Sequence, residues 1–530
     1  MVSLLADLPL ASATSAPDRI ALRLRGDALT YATLGQSIDL AAHGLCALGL
    51  ARQARVAVYL NKRFETVIAC FAAARAGGIF VPVNPLLKAA QVAHILQDCA
   101  ATVLITTPDR LRDLHTVLPS LPALEHVVVV GERSAAAAPS QLAWHDILAT
   151  GDDAALHRVI DTDVAAILYT SGSTGRPKGV VLSHRNMVTG AASVAEYLGN
   201  TPDDRLLAVL PFSFDYGFSQ LTTAFLVGAS VSLIDHLFAR DVVAAVARDQ
   251  ITGLAAVPPL WIQLAELEWP REVDGHLRYI TNSGGRMPLA TLEKLRRALP
   301  RTRPFLMYGL TEAFRGTYLP PEELDRRPDS IGQAIPNTEI LVVRPDGTLC
   351  AADEPGELVQ RGSLVALGYW NDPAKTAERF RPLPSQRGEL PITELAVWSG
   401  DTVRKDADGF LYYVGRRDEM IKTSGYRVSP TEVEEIVYGS PLVADVVALA
   451  APHGALGEGI VLVAAPGSEA EDNVAANTTA LLAYCRQQLP GFMVPHHVAW
   501  LDELPRNPNG KFDRPALAAQ FRDVFQSARG

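Results

Sequence analysis

The chain has 530 residues, with 48 Lys+Arg against 58 Asp+Glu and 48% hydrophobic residues. This length predicts more than one domain, because single hydrophobic cores stop growing near roughly 250–300 residues, and the ordinary apolar fraction excludes general disorder. The net charge of −10 argues against a surface built to neutralise nucleic-acid phosphates, although it leaves room for a small basic nucleotide site.

The N-terminal segment and the cysteines indicate the compartment. No basic residue precedes Arg19 and Asp7 interrupts the apolar run, so we do not predict a signal peptide. No stretch approaches the ~20 apolar residues that a membrane span needs. The five cysteines are scattered without a CxxC pair, which favours free thiols over a disulfide framework or a zinc ribbon. We therefore expect a cytoplasmic protein.

The first three fifths of the chain alternate short Val-, Ile- and Leu-rich runs with Ala-rich segments of helical period. Such alternation predicts parallel sheets covered by helices. The Ala-rich segment Ala69–Gly77 suits a helix packed closely on such a sheet. The predicted strands are Arg55–Leu60, Thr102–Thr106, His126–Val130, Val164–Tyr169, Leu206–Leu210 and Ser230–Ile234.

The pattern changes twice towards the C-terminus. From about Ile331, runs such as Glu339–Arg344 and Gly356–Gly362 are separated by turn signals, which predicts a smaller, antiparallel, barrel-like β region. The second change falls near 415–418, and the roughly 110 residues beyond it are enough for a small α+β domain. We predict a large α/β domain over residues 1–417 and a second domain over residues 418–530.

The strongest chemical signal follows the strand Val164–Tyr169. The loop that begins at Thr170 combines glycines, Ser/Thr hydroxyls and Lys178, and such a loop can bring backbone N–H groups and an ammonium to a polyphosphate. It is not a Walker A loop, because Lys178 precedes Gly179 rather than Ser or Thr. A flexible surface loop is the alternative.

Two further segments carry groups suited to a nucleotide. Tyr308, Thr311 and Glu312 follow the run Pro304–Met307, and together could stack a base, contact a phosphate and hold Mg²⁺. Thr-Glu also suits the first turn of a helix. Asp401 follows a tight turn and could bind ribose hydroxyls, although a plain turn residue would give the same pattern.

Two C-terminal segments complete the set. The segment 415–432 alternates charged and small residues, and its Gly, Ser and Pro are poor residues for a solvated helix face, which is the alternative. In Pro505–Arg514 an Asn-Gly turn presents Lys511, which could equally be a surface hairpin lysine.

Together these five segments resemble the adenylate-forming superfamily of acyl-CoA synthetases, amino-acid-adenylating enzymes and luciferases. The resemblance runs in the family's order from the N-terminus to about Arg514. The segments Asn84–Lys88 and Ala313–Pro321 are similar to those of the AMP-forming acyl-CoA ligases associated with the exosortase A system. The resemblance implies an enzyme that uses ATP and Mg²⁺ and passes an acyl group to coenzyme A or to the phosphopantetheine of a separate carrier protein.

The resemblance also implies a role for individual residues. Lys511 would bridge the substrate carboxylate and the α-phosphate, Thr311 would contact that phosphate, and Glu312 would ligate Mg²⁺. Asp418 would be the hinge of a mobile C-terminal domain, and Gly425 would line the thiol channel. The ATP-binding residues would be Thr170, Ser171, Gly172, Ser173, Thr174, Gly175, Lys178, Tyr308 (stacked on adenine), Asp401 and Arg416 (both on the ribose).

The identity of the acid depends on one motif. Asp215, in Pro211–Gly217, matches the amino-acid-activating members, whose carboxylate pairs with the substrate's α-ammonium; a desolvated ammonium needs such a partner. Alternatively, Asp215 caps a helix that begins near Tyr216. Arg315 could bind a second substrate carboxylate, pair with Asp215 and cancel the ammonium site, or face outward. The carried-over pocket residues are Asp215, Tyr216, Ser219, Thr281, Ser283, Gly284, Met307, Arg315 and Gly316.

The leading hypothesis is a ligase that adenylates a small carboxylic acid, such as an amino acid, and transfers it to a thiol. Nucleic acids and a membrane span are not expected. A fatty- or aryl-acid CoA synthetase is the alternative within the same mechanism. A luciferase-like oxygenase and an inactive scaffold are further alternatives; the scaffold is disfavoured because Lys178, Glu312, Asp401 and Lys511 are all present.

Overall fold

The computed structural model describes residues 2–131, 140–149, 154–170, 177–383, 393–416, 420–423, 426–453, 456–489, 491–508 and 510–525. Within these residues the chain alternates helices and strands. The α-helices are α1 Asp7–Ser15, α2 Tyr31–Ala47, α3 Phe64–Arg75, α4 Ala89–Asp98, α5 Pro108–Leu114, α6 Trp144–Ala149, α7 His184–Leu198, α8 Asp215–Val227, α9 Ala239–Arg248, α10 Pro258–Ala265, α11 Leu289–Ala298, α12 Pro373–Arg379, α13 Pro430–Tyr438, α14 Val474–Gln488 and α15 Arg514–Gln520. Short 3₁₀ turns cover Leu118–Ser120, Arg271–Gly275, Thr311–Ala313, Pro321–Glu323 and Gly491–Met493.

The strands form three sheets. Those of the first half are β1 Ile20–Leu24, β2 Asp27–Thr30, β3 Arg55–Tyr59, β4 Ile79–Pro82, β5 Val103–Thr106, β6 His126–Val129, β7 Ser140–Ala143, β8 Val164–Thr170, β9 Lys178–Ser183, β10 Arg205–Ala208, β11 Ser230–Leu233 and β12 Gly253–Ala256. Those of the second half are β13 Tyr279–Asn282, β14 Arg303–Tyr308, β15 Thr317–Leu319, β16 Ser330–Ala334, β17 Thr338–Val343, β18 Gly356–Gly362, β19 Gly368–Tyr369, β20 Phe380–Pro382, β21 Leu395–Lys405, β22 Leu411–Arg416, β23 Ile421–Thr423, β24 Tyr426–Val428, β25 Val443–His453, β26 Gly457–Pro466 and β27 His497–Trp500.

The first sheet has the strand order β19-β9-β8-β4-β3-β5-β6-β7. Its strands from β8 to β7 pair in parallel, whereas β8 and β9 form an antiparallel pair and β19 adds to β9. Strands β4 and β5 are buried along their whole length, as expected for a parallel sheet covered on both faces.

The second sheet follows the order β17-β18-β21-β22-β16-β15-β14-β13-β12-β10-β11-β1-β2. Strands β14, β13, β12, β10, β11 and β1 are parallel. From β15 onward the strand pairing is antiparallel. This agrees with the antiparallel β region that the sequence predicts from about Ile331. The antiparallel strands thus extend the edge of the second parallel sheet.

The two large sheets share a core built on buried aromatic rings. Phe218 of α8 stacks on Phe80 of β4 at 4.9 Å and on Phe71 of α3 at 5.8 Å between ring centres. Each of these side chains is fully buried. Helices α3 and α8 therefore join the sheets, and the aromatic contacts fix the position of the residues at the start of α8.

The C-terminal sheet has the order β24-β23-β26-β25, with β27 added in parallel to β26. Helices α13 and α14 cover it, and its buried core includes Val433, Ile460, Leu462 and Leu481. This region has its own core, as a separate α+β unit requires. The predicted boundary between residues 417 and 418 lies outside the described residues and stays a prediction.

The predicted strands and helices of the parallel sheets are confirmed, with ends shifted by a few residues. For example, Leu206–Leu210 corresponds to β10, and Ala69–Gly77 lies mostly in α3. All five cysteines are free, as expected. None of the helices in the described ranges is long and apolar enough to cross a membrane.

Candidate active site

The segment after β14 turns sharply into the site. Thr311 to Ala313 form a single 3₁₀ turn. Phe314 follows with a positive φ of 56°, which residues other than Gly rarely adopt. The Phe314 ring is fully buried against α7, where a Cβ at Gly190 would lie 2.4 Å from its Cδ1. This locked turn directs Glu312 and Arg315 to different neighbours.

Glu312 is held by a tyrosine outside the predicted set. Tyr369 of β19 donates its hydroxyl to Glu312 Oε1 at 2.5 Å, and Lys178 Nζ lies 5.7 Å from the centre of the Tyr369 ring. Burial, and next the Glu312 carboxylate, raise the pKa of the Tyr369 hydroxyl, so that it stays a donor. Tyr369 thus joins the predicted metal ligand to the lysine of the predicted phosphate loop.

The predicted adenosine residues also come together. Tyr308, the last residue of β14, donates its hydroxyl to Asp401 Oδ2, and the Asp401 backbone N–H donates to Ser399 Oγ at 3.0 Å. Burial of the ring, followed by the Asp401 charge, holds the pKa of the Tyr308 hydroxyl well above its usual range. Asp401 and Arg416 are register partners across β21 and β22, so the two predicted ribose residues are neighbours in one ladder.

The predicted phosphate loop joins two paired strands. Thr170 at the end of β8 faces Lys178 at the start of β9 across an antiparallel ladder. Ile167, Leu168, Val180 and Leu182 of this ladder are buried, so the loop ends are firmly fixed. The predicted contacts of Ser171, Gly172, Ser173, Thr174 and Gly175 lie outside the described residues.

Asp215 and Arg315 form a buried ion pair. Arg315 donates to Asp215 Oδ2 at 2.9 Å, and Thr311 Oγ1 donates to Asp215 Oδ1 at 3.2 Å. Both charged side chains are about 95% buried. Asp215 is the first residue of α8, and the residue at the N-cap position is Phe214, without a side-chain cap. Of the three orientations left open for Arg315, the outward one is therefore wrong.

A small cavity lies against this ion pair. Its volume is about 10 Å³, roughly the room that one water molecule needs. Arg315 lines it, whereas Asp215 is not among the described residues that do. The Tyr216 hydroxyl bonds Thr281 Oγ1 at 2.5 Å, and Arg315 lies 4.9 Å from the Tyr216 ring centre. The lining residues are Val194, Tyr197, Leu198, Leu206, Tyr216, Ser219, Gln220, Thr223, Tyr279, Thr281, Met307 and Arg315.

The cavity includes part of the predicted lining. Ser283, Gly284 and Gly316 lie outside it among the described residues, whereas Tyr197 is an unpredicted wall residue. The Tyr197 hydroxyl donates to Met307 Sδ at 2.9 Å, which fixes a flexible side chain. Only the packing of α7 against β14 brings these two together, so the sequence offered no signal for Tyr197.

Lys511 reaches the large domain from its hairpin. Its Nζ lies 5.2 Å from the centre of the Phe214 ring, next to Asp215. Gly284, with a φ of +84°, makes room for it, since a Cβ there would lie 2.7 Å from Lys511 Cε. The structure therefore brings Lys511 to the start of α8. The predicted hinge Asp418 and channel residue Gly425 lie outside the described residues.

The residues present fit a Mg²⁺ ion that is bound jointly by the protein and by the phosphates of ATP. Mg²⁺ takes one or two carboxylates together with substrate phosphates and waters. Glu312 supplies one carboxylate already oriented by Tyr369. The described part of the chain contains no group of three or more His, Cys, Asp or Glu that could hold a metal by itself. A site completed by phosphate oxygens matches this donor set.

Comparison with known proteins identifies the family. The profile described as AMP-binding enzyme matches residues 10–370. The chain belongs to this family. The profile of the AMP-binding enzyme C-terminal domain matches residues 432–511, the segment that ends on Lys511. The predicted enzyme class, an AMP-forming ligase that uses ATP and Mg²⁺, is thereby confirmed at the level of the family.

Curated relatives of this AMP-binding enzyme include a carrier-protein ligase. The L-proline--[L-prolyl-carrier protein] ligase of Pseudomonas fluorescens is 32% identical over 93% of the chain and 94% of that protein. Gramicidin S synthase 2 of Brevibacillus brevis is 29% identical over 94% of the chain, which spans only 11% of that much longer protein. The chain thus matches the first relative over nearly its whole length and the second over a small part.

Solved structures of similar fold include a coenzyme A synthetase. ATP-bound MatB from Rhodopseudomonas palustris has a TM-score of 0.84 and 25% identity, over 98% of this chain and 99% of that one. O-succinylbenzoate coenzyme A synthetase from Bacillus subtilis, with ATP and magnesium ion, has a TM-score of 0.80 and 26% identity, over 96% and 98%. The predicted two-sheet domain with a small α+β C-terminal domain is thereby confirmed.

Replacing Tyr369 with Phe tests the contact with Glu312. We expect the Mg²⁺ concentration at half-maximal activity to rise about 10-fold, because partners that orient a metal ligand typically contribute 10–100-fold to metal affinity. The measurement is a Mg²⁺ titration of ATP–pyrophosphate exchange. Tyr412→Phe is the matched control, since it removes a hydroxyl that donates to Asp406 at 3.0 Å. An equal shift in both variants would contradict this role.

Proposed function

We propose that the protein activates a small amino acid in two steps. In the first, a carboxylate oxygen of the substrate attacks the α-phosphorus of ATP, the bond to pyrophosphate breaks, and an acyl-adenylate forms. In the second, a pantetheine sulfur attacks the acyl carbon, the bond to AMP breaks, and the thiol proton passes to solvent. The acceptor is coenzyme A or the phosphopantetheine of a separate carrier protein.

The residues of this chain suit the charges that the first step brings together. The attack joins two anions, so the site must supply positive charge that is already oriented. Lys511 approaches from the C-terminal hairpin and Lys178 from the phosphate loop. Mg²⁺, when bound, neutralises charge on the phosphates; Glu312, oriented by Tyr369, would hold it.

The observation that carries the substrate proposal is the buried Asp215 carboxylate. It lies at the start of α8, next to the cavity and to Phe214, which Lys511 contacts. A carboxylate has about four lone-pair sites, so Asp215 can keep its bonds to Arg315 and Thr311 and still accept from an ammonium. This supports an α-amino acid whose carboxylate faces Lys511.

The charge of Arg315 restricts which amino acid fits. Asp215 and Arg315 balance one another, so a substrate ammonium adds one uncompensated positive charge to a buried site. An amino acid with a second acidic group restores the balance and can bond Arg315, which lines the cavity. We therefore propose that the substrate is a small amino acid with an acidic side chain.

A second candidate is a small acid without an amino group. It is favoured by the position of Arg315, which forms the cavity wall in place of Asp215. With such a substrate the ion pair stays intact and needs no further charge. The polar members of the lining, such as Ser219, Thr281 and Arg315, disfavour long fatty acids in either case.

ATP–pyrophosphate exchange with three sets of acids tests these proposals. The sets are neutral amino acids, amino acids with acidic side chains, and the deamino analogues of both. We expect the acidic amino acids to give exchange at least about 10-fold above the neutral ones, because a buried unpaired charge is costly. Exchange with the deamino acids alone would support the second candidate, and exchange with long fatty acids alone would refute both.

The acceptor and the compartment are proposed on separate grounds. One relative with nearly full overlap in both chains is a carrier-protein ligase, which supports a carrier protein as the acceptor. Its phosphopantetheine would accept the acyl group. The five free cysteines suit a reducing compartment, so we propose a cytoplasmic reaction.

A further inference from the structure

Asn84 connects the large domain to the hairpin that carries Lys511. It follows β4, and its side-chain Nδ2 donates to the carbonyl oxygen of Pro508 at 2.8 Å, across 424 residues of sequence. Asn84 is 5% exposed. In the sequence, Asn84 is notable only as part of the ligase-like segment Asn84–Lys88, and the two-step mechanism gives it no role.

The orientation of the Asn84 amide is fixed by its other end. Its Oδ1 accepts the backbone N–H of Leu86 at 2.9 Å, so the NH₂ group must face the hairpin. A side chain held in this way donates with little further loss of rotamer freedom. Asn84 is therefore a preformed donor on the large domain.

The acceptor lies in a hairpin that is rigid by its own bonds. The Asn507 N–H donates to the Lys511 carbonyl at 2.7 Å, and the Lys511 N–H donates to Asn507 Oδ1 at 3.1 Å. Arg506 and Phe512 pair beside them as an isolated bridge. Because the bonds between Asn507 and Lys511 join the residues on either side of Pro508, a bond that fixes the Pro508 carbonyl also restrains the base of the Lys511 side chain.

We propose that Asn84 is a positioning residue that docks the Lys511 hairpin for adenylate formation. The bond links the two domains, so it is broken whenever the small domain turns away for thiol transfer. The bond forms in only one of the two orientations of the small domain, so it stabilises that orientation relative to the other. This inference rests on the proposed two-step function, and it assigns to Asn84 a share in the first step only.

The test is Asn84→Asp, measured in each half-reaction. The variant keeps an oxygen for the Leu86 N–H but sets a carboxylate against the Pro508 carbonyl. We expect the kcat of ATP–pyrophosphate exchange to fall about 5- to 10-fold, the effect of one lost hydrogen bond. Transfer from preformed acyl-adenylate to a pantetheine thiol should be unchanged or faster. An equal fall in both half-reactions, or in neither, would overturn the proposal.

Two further variants separate positioning from general damage. Gln91→Glu makes the same amide-to-acid change in α4, where Gln91 Oε1 accepts the Lys88 N–H at 3.0 Å, and should leave both half-reactions unchanged. In a Lys511→Ala background, Asn84→Asp should cause no further loss of exchange, since coupled residues are not additive. A full additional loss would show that Asn84 acts without Lys511.

A readout without catalysis separates this inference from the proposed function. Hydrogen exchange of the peptide that contains Lys511 should be faster in Asn84→Asp than in the wild type and in Gln91→Glu. If the wild type exchanged pyrophosphate with no acid, the proposed function would fail, while faster hydrogen exchange would still support the docking contact. Identical hydrogen exchange in the three proteins would overturn it.

Discussion

Replacing Lys511 with Ala is expected to slow adenylate formation by about 10²–10³-fold, the loss typical of removing one preorganised donor from a developing charge. Attack of a carboxylate on a phosphate brings two anions together without proton transfer. Lys511 Nζ lies 5.2 Å from the Phe214 ring centre, next to Asp215, and we propose that the two anions meet there. We do not expect Lys178 to take its place, because Lys178 lies by the Tyr369 ring rather than by Phe214.

The measurement is ATP–pyrophosphate exchange at saturating ATP and acid, paired with thiol transfer from preformed acyl-adenylate. Lys511→Ala should retain the transfer step within about 3-fold, since that step needs no bridge between carboxylate and phosphate. Lys294→Ala, which removes a half-exposed lysine paired with Glu266, is the control and should leave both steps unchanged. Exchange near the wild-type rate in Lys511→Ala would contradict the proposed role.

Much of this site could be predicted from sequence because its residues sit in contiguous motifs on regular elements. A buried strand, a glycine-rich loop and Lys178 are local patterns, and the two strands that flank the loop form one ladder. Tyr308 and Asp401 are 93 residues apart, yet both lie on strands of one sheet, which brings them together. Their pairing follows from topology that alternating sequence patterns already indicate.

The remaining contacts could not be predicted, because they depend on single side-chain directions. The positive φ of Phe314 turns Arg315 towards Asp215, and no sequence signal marks a strained phenylalanine. Tyr369 reaches Glu312 from an edge strand of only two residues. Asn84 meets Pro508 only because two domains touch there. Such long-range contacts are determined by packing of whole domains, which the local pattern does not encode.

Replacing Asp215 with Ala is expected to lower the free energy of unfolding by about 3–5 kcal/mol, because it leaves the buried Arg315 guanidinium without its partner. This loss accompanies any effect on the substrate, so activity alone would not separate the two roles. The shift of the urea unfolding midpoint measures it directly. Asp203→Ala, which breaks the exposed pair with Arg19, is the control and should shift the midpoint very little.

The double variant Asp215→Ala, Arg315→Leu distinguishes the effect of an unpaired charge from the effect of lost packing. Removing both charges of a buried pair is often neutral, so the double variant should regain most of the lost stability. If it stays as unstable as Asp215→Ala, lost packing rather than charge explains the effect. Its exchange activity then reports on the ion pair as a whole: we expect loss with acidic amino acids, which lose the partners of both their ammonium and their second carboxylate. Retained exchange with amino acids would show that Asp215 serves the fold and Arg315 rather than the substrate.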